Sequence, residues 1–257
     1  MNPIIDETFH PRPSSRWHRT AVGGGRFILS NQGLRLLLTA GHHNHYADAQ
    51  IDDYGGLPRR HFPWQPPLHL TVRARISGPL RGTAGFGFWN NPFSPLGGSP
   101  ALPAAIWFFY ASPPSNLPLA LDIPGYGWKA ACIDATRPSA LACLPLALLI
   151  VLLNQVPTLY RWIWPLVQRP LGIAEAALPT PGTQWATYII DWHEDYARFM
   201  VDGVVVLECD RPPRGPLGFV AWVDNQWMVA TPSGRFGWGL LDTGTQWIDL
   251  DMVQIRA

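Results

Sequence analysis

Carboxylates and imidazoles are the side chains with which a chain commonly moves protons or holds metal ions, and here they are sparse and unevenly placed. Glutamate occurs four times, at Glu7, Glu175, Glu194 and Glu208, and no two stand at the spacing that puts a carboxylate pair on one face of a strand. Three histidines crowd one polar loop, Gly41-His42-His43-Asn44-His45-Tyr46. Neutral imidazoles bind divalent metals, but a site also needs a carboxylate or a second element of structure; this run reads as a solvent-exposed or cleft-rim loop. Asp122 is an isolated acid, a candidate general acid or base if His193 or a histidine of the 42–45 loop stands beside it. Aromatic residues offer more. Trp89 with Asn90, Trp107 with Tyr110, and Trp222 with Asn225 and Trp227 set ring faces near hydrogen-bonding groups, the chemistry of a glycan or amphiphile platform.

The elements that must position these groups are strands. Leu68, Leu70, Val72, Ala74 and Ile76 alternate with His69, Thr71, Arg73 and Arg75, a clean period of two. Tyr188–Trp192, Ala197–Val201 and the run Val204-Val205-Val206 form a meander whose second turn is Asp202-Gly203, with Glu194 and Asp195 in the solvated first turn. Gly85-Phe86-Gly87-Phe88-Trp89 and Ala104-Ala105-Ile106-Trp107-Phe108-Phe109-Tyr110 are further strands. The second of these is apolar on both faces, so both are expected to be covered. Trp222, Asp224 and Gln226 alternate to one side of a late strand, and Asn225 and Trp227 to the other.

At 257 residues with 27 prolines, 13 tryptophans and 14% charged residues, the chain fits one loop-rich β domain carrying an insertion. A net charge of +1 without clustered Lys or Arg excludes nucleic acid as a partner. Cys132, Cys143 and Cys209 are too few and too irregular for a disulfide framework or a four-ligand zinc site. Met1 to Glu7 carries no signal-peptide pattern, so a cytoplasmic location is expected.

Several of these segments resemble the concanavalin A-like lectin/glucanase superfamily, in particular laminarinase-type glycoside hydrolases of family 16. The meander matches Y-x-I-x-W followed by F-x-V-D-G; Glu7-Thr8-Phe9, Trp17 and Gly25 to Leu36 match the opening strands; Tyr46 to Ile51 with Leu68 to Ile76 match a pair of strands in that family; Leu217 to Ala230 and Gln246 to Ile255 match the late cleft strand and the closing strand. The resemblance covers roughly residues 5–135 and 183–256. It implies an all-β jelly roll of two antiparallel sheets forming a single domain over residues 1–257. It also implies where catalysis would sit, on an E-x-D-x-x-E strand whose acids lie about 5 Å apart. Laid on this chain, those positions fall on Ala105, Trp107 and Tyr110, and a second placement on Ala120, Asp122 and Gly125 keeps only Asp122. The family's structural calcium would draw on Glu7 and Asp249, oxygen ligands of the right kind.

Residues 138–172 have no counterpart in that family. Ala140 to Leu153 is unbroken apolar sequence, and Val156 to Val167 contains Arg161 as its one charge. Ser139 is the expected amino-terminal cap of a hairpin of two short helices, each too short to span a bilayer. Three roles are open to residues 140–169: a lid over the cleft, a peripheral membrane contact flanked by Tyr160, Trp162, Trp164, Arg161 and Arg169, or a homodimer interface. The expected function is non-catalytic binding of a carbohydrate or a glycolipid-like amphiphile in an aromatic cleft. The alternatives are a glycoside hydrolase with displaced acids and a membrane-peripheral structural protein.

Overall fold

The computed structural model describes residues 5–92 and 100–257, so Met1 to Ile4 and residues 93–99 of the expected loop 93–103 lie outside it. In chain order the strands are β1 (Ile5–Glu7), β2 (His18–Val22), β3 (Gly25–Ser30), β4 (Gly33–Leu38), β5 (Asp48–Asp52), β6 (Leu68–Ile76), β7 (Thr83–Trp89), β8 (Ala104–Ala111) and β9 (Gly127–Asp134). After the insertion come β10 (Ala174–Leu178), β11 (Ala186–Trp192), β12 (Ala197–Val201), β13 (Val204–Cys209), β14 (Gly218–Asp224), β15 (Gln226–Ala230), β16 (Phe236–Leu240) and β17 (Gln246–Arg256). The first sheet runs β13-β12-β11-β6-β17-β4-β3 with β1 also on β17, the second runs β10-β9-β8-β7-β14-β5-β2, and β15-β16 is a separate hairpin. The strand pairing is antiparallel throughout. The alternating segments form the strands they predict, and the two antiparallel sheets are the all-β sandwich that the resemblance implies.

Hydrophobic period sets which faces meet. The five apolar residues of β6 are all buried, and they lie against the inward Phe86 and Phe88 of β7, Ile106, Phe108 and Tyr110 of β8, and Phe219 of β14 in one core cluster. The meander forms as expected, and its Asp202-Gly203 turn has positive φ at both residues, 49° and 81°, the left-handed pair a two-residue hairpin needs. The closing strand β17 pairs with β1, Ile5 opposite Ile255. One expected pairing is corrected: β5 and β6 are not partners. β5 lies between β14 and β2 in the second sheet, while β6 lies between β11 and β17 in the first, because the proline-rich loop 53–67 crosses from one sheet to the other.

The insertion between β9 and β10 consists of α1 (Pro138–Leu141), a 3-10 turn at Leu144–Leu146, α2 (Ala147–Leu153) and α3 (Pro157–Gln168). Ser139 is not the cap. Pro138 occupies the first helical position after Arg137, where a missing N–H costs nothing, and Ser139 Oγ donates instead to Pro170 O at 2.8 Å. The insertion leans on two supports. Trp164 Nε1 and Gln168 Nε2 both donate to Leu119 O, at 2.8 and 3.1 Å, and Asn154 Nδ2 donates to Pro232 O at 3.1 Å in the β15–β16 turn.

The loop under α3 is itself held by a buried ion pair. Lys129 Nζ on β9 lies 2.6 Å from Glu175 Oε1 on β10, each side chain 1% exposed. The ammonium also donates to Leu117 O and Pro124 O, at 3.0 and 3.1 Å, while Glu175 Oε2 accepts the Leu119 and Ala120 N–H groups at 2.9 and 2.8 Å. Lys129→Met alone strands a buried carboxylate, with an expected loss of about 3–5 kcal/mol. Lys129→Met/Glu175→Leu should recover most of that loss in urea unfolding, and equal destabilisation by the single and double variants would show that the pair does not act as a unit.

Candidate functional site

The outward face of the second sheet is built on a lane with no side chains. β7 alternates Gly85 and Gly87 outward with Phe86 and Phe88 inward. A Cβ at Gly85 would meet the Trp222 ring at 3.0 Å, and one at Gly87, where φ is +147°, would meet Trp107 Cβ at 2.6 Å. The neighbouring strands therefore lay their indoles over β7. Trp107 on β8 and Trp222 on β14 approach to 5.4 Å between ring centroids, Phe109 stacks on Trp107 at 5.4 Å, and Trp89 lies within 5.8 Å of Trp107 and parallel to Trp222 at 6.4 Å, with 9° between planes. Trp89, Trp107 and Phe109 stay half-buried. Two polar tethers fix the rings: Trp89 Nε1 donates to Tyr54 Oη at 2.6 Å and Trp222 Nε1 to Thr83 Oγ1 at 2.9 Å.

Trp89, Trp107 and Trp222 are thus brought together, and Phe109, which the sequence reading placed only as a strand residue, completes the group. The others are placed elsewhere. Tyr110 faces the inter-sheet core, its hydroxyl donating to Leu80 O at 3.0 Å, because β8 pairs with β7 and β9 without a register break. Strict alternation puts Ala105, Trp107 and Phe109 on the outward face, and a spacing of two then three residues would need a bulge to return there. Asn90 is buried, bonding Leu102 O at 2.8 Å and the Ala104 N–H at 3.1 Å. Asn225 is fully buried and bonds only backbone. Trp227 sits on the β15–β16 hairpin over Gly239, whose Cβ would lie 2.7 Å from its indole nitrogen.

Asp122 does not meet His193, and Glu7 does not meet Asp249. Asp122 is exposed and pairs with Arg161 at 3.2 Å, and His193 pairs with Asp191 on β11 in the other sheet. Glu7 is occupied by the N–H groups of Phe9, Ser14 and the Trp17 indole. Asp249 takes Arg35 through Nε at 2.7 Å and Nη2 at 2.9 Å, and Arg75 through Nε at 2.9 Å. Glu7 stands opposite Val253, four residues along β17 from Asp249, so the two carboxylates do not share a calcium site.

A carboxylate pair does exist on this face, several strands from β8. Asp48 on β5 and Asp224 on β14 are direct cross-strand partners, which sets their Cβ atoms about 5 Å apart. Both are buried. Asp224 Oδ1 accepts Thr83 N and Oγ1 at 3.1 and 2.8 Å and Gln226 N at 2.9 Å, whereas Asp48 Oδ1 accepts nothing among the described residues. Burial, then the Asp224 charge, holds Asp48 well above the usual carboxylate range, and burial raises Asp224 to about 6. No sequence signal links these positions; only the β5–β14 register does. The same strip continues with Asp52, which accepts from Gln50 Nε2 at 3.0 Å and pairs with His18 Nδ1 at 3.2 Å.

The two sheets and their order make this a jelly-roll β-sandwich of concanavalin A-like fold. No protein-family model matches the sequence and no curated protein matches it. Among solved structures the chain is similar to Crh5 transglycosylase in complex with NAG (TM-score 0.52, 13% identity, 98% of this chain and 83% of that one). It is similar also to the Emp47p carbohydrate recognition domain (0.51, 12%, 98% and 93%). A third is Rv0315 of Mycobacterium tuberculosis, an immunostimulatory antigen and pseudo beta-1,3-glucanase (0.52, 10%, 98% and 97%).

Because folding raises the pKa of Asp224 above its unfolded value, the folded chain binds more protons between about pH 4 and pH 6. Its contribution is therefore favourable at low pH and is lost as pH rises through that window. Asp224→Asn should gain on wild type between pH 4 and pH 7, by on the order of 1–3 kcal/mol. Thermal unfolding of both proteins across that range checks this; parallel curves would refute it.

Proposed function

We propose that the outward face of the second sheet binds carbohydrate without cleaving it, and that the ligand is a free glycan or the sugar head of an amphiphile. The supporting observation is the contiguous ring surface of Trp89, Trp107 and Phe109, half-buried over the β7 glycine lane and backed by the buried Trp222. Sugar C–H faces stack on such rings, and the bordering strip of Gln50, Asp52 and His18 supplies hydrogen-bonding groups for hydroxyls. β8 carries no acid at its outward positions, so a double-displacement mechanism lacks its carboxylates there. The similarity in fold to a carbohydrate recognition domain and to a pseudo-glucanase accords with binding alone. A glycan array followed by titration of tryptophan fluorescence tests this. Trp107→Ala is expected to weaken the glycan that binds by about tenfold, the equivalent of one lost stacking contact. Release of reducing sugar from laminarin or lichenan that disappears in Asp48→Asn would replace this reading with a hydrolase.

A second reading, contact with a membrane surface, is favoured by the insertion. Leu148, Trp162 and Leu166 are 74%, 79% and 73% exposed, so these helices are not packed as a lid. α3 turns Tyr160, Trp164 and Gln168 toward the protein and Leu159, Trp162 and Leu166 outward. Residues 138–173 contain Arg161, which pairs with Asp122 at 3.2 Å, and Arg169, and no acid of their own, so the contact rests on the apolar side chains more than on charge. Among the described residues no helix is long and apolar enough to cross a membrane, so the contact is interfacial. Flotation with phosphatidylserine vesicles should carry the protein upward and should fail for Leu148→Ser/Trp162→Ser/Leu166→Ser. A wild-type dimer in light scattering that the same triple variant dissociates, with no flotation, would assign the patch to self-association.

A further inference from the structure

We infer that His42 and His43, closed by Asp242 from the far end of the chain, form a site for a divalent transition metal such as Zn2+, Ni2+ or Cu2+, independent of the aromatic face. One ligand atom from each of the three residues lies within 4.8 Å of the others. His43 Nδ1 stands 2.9 and 3.0 Å from the two Asp242 oxygens. A tetrahedral ion bound at about 2.0–2.1 Å needs ligand atoms about 3.3 Å apart, so the pair must open by only tenths of an ångström. The His42 ring stacks beside His43 at 4.3 Å, and His45 lies 5.9 Å from His42 as a further imidazole. Two imidazoles with one carboxylate suit zinc, nickel or copper; calcium and magnesium take oxygen ligands.

The frame around these side chains separates the site from a chance surface ion pair. Asn225, fully buried, uses one amide nitrogen to reach His42 O at 3.1 Å, His45 O at 3.0 Å and Leu241 O at 3.1 Å, while its Oδ1 accepts the Ala47 N–H at 2.9 Å. A single buried side chain therefore clamps both segments that carry the ligands. Gly41 and Thr243 bridge the same segments by reciprocal backbone bonds at 3.3 and 3.0 Å, and Thr243 Oγ1 accepts Gly41 N at 2.7 Å. The His43 N–H donates to Asp242 Oδ1 at 2.8 Å. The ligand side chains themselves remain exposed, so an ion can enter and the rings can turn to meet it. The backbone is fixed beforehand, which reduces the ordering cost of binding.

Isothermal titration of the tag-free full-length protein with ZnCl2 at pH 7.5 tests the assignment. One ion per chain is expected. His43→Ala and Asp242→Asn, both at exposed positions that should leave the fold and its circular dichroism unchanged, should each weaken binding about ten- to hundredfold. His193→Ala, beside Asp191 on β11, should leave it unchanged. No binding heat from the wild type, or equal affinity in wild type, His43→Ala and Asp242→Asn, would overturn the proposal.

Discussion

The absence of side chains at Gly85 and Gly87, midway along the outward side of β7, governs what the rest of this face can be. With hydrogen at Gly85 and Gly87, Trp107 and Trp222 from the strands on either side lean inward until they meet over the gap. A Cβ at Gly85 would collide with the Phe108 carbonyl and press on the Trp222 indole, and one at Gly87 would collide with the Ile106 carbonyl and with Trp107 Cα and Cβ. Once these rings meet, a carboxylate at the Phe109 position would be desolvated by its neighbours and would hold its proton rather than serve as a nucleophile. The ring floor and acid-driven chemistry on β8 are therefore alternatives, and the β7 glycines belong to the first.

Charge on the same sheet is handled in two ways, which explains why the sheet is polar at both flanks yet presents few free acids. Toward β10, Lys129 and Glu175 neutralise each other and use their remaining hydrogen-bonding capacity to hold the loop beneath α3. Toward β5, Asp48 and Asp224 face each other with no cation between them in the β5–β14 pairing, so burial and mutual repulsion favour retention of a proton. The first arrangement fixes an adjoining loop and, through Leu119, the helical insertion. The second couples stability to pH.

Local sequence made much of the framework legible because strand periodicity is a short-range signal: all of β6, the β11–β13 meander with its Asp202-Gly203 turn, and the strand character of β7 and β8 follow from neighbours in the chain. The ring cluster was partly legible, since Trp89, Trp107 and Trp222 lie on strands of readable phase. Tyr110 would join that face only with the E-x-D-x-x-E spacing, which needs a bulge that β8 lacks. Asn225 was read as a binding residue because it stands beside Trp227, but its three carbonyl partners lie on segments that meet only in the folded chain. The Asp48–Asp224 pair spans most of the sequence and depends on two strands becoming neighbours, and the β5–β6 separation depends on which sheet a loop enters. Neither is encoded in any window of adjacent residues.

The insertion shows where a compositional rule gives way to contacts. An apolar helix is ordinarily a buried one, but the residues that attach α2 and α3 are Asn154, Trp164 and Gln168, each through a side-chain hydrogen bond to a backbone carbonyl. Helices of 7 and 12 residues are marginal on their own in water, so this polar attachment is what orients them. It turns Leu148, Leu152, Trp162 and Leu166 away from the sandwich, beside a hairpin whose Phe236 and Trp238 are also exposed. Folding gains little from apolar side chains held in that orientation, so the sandwich alone does not account for their composition.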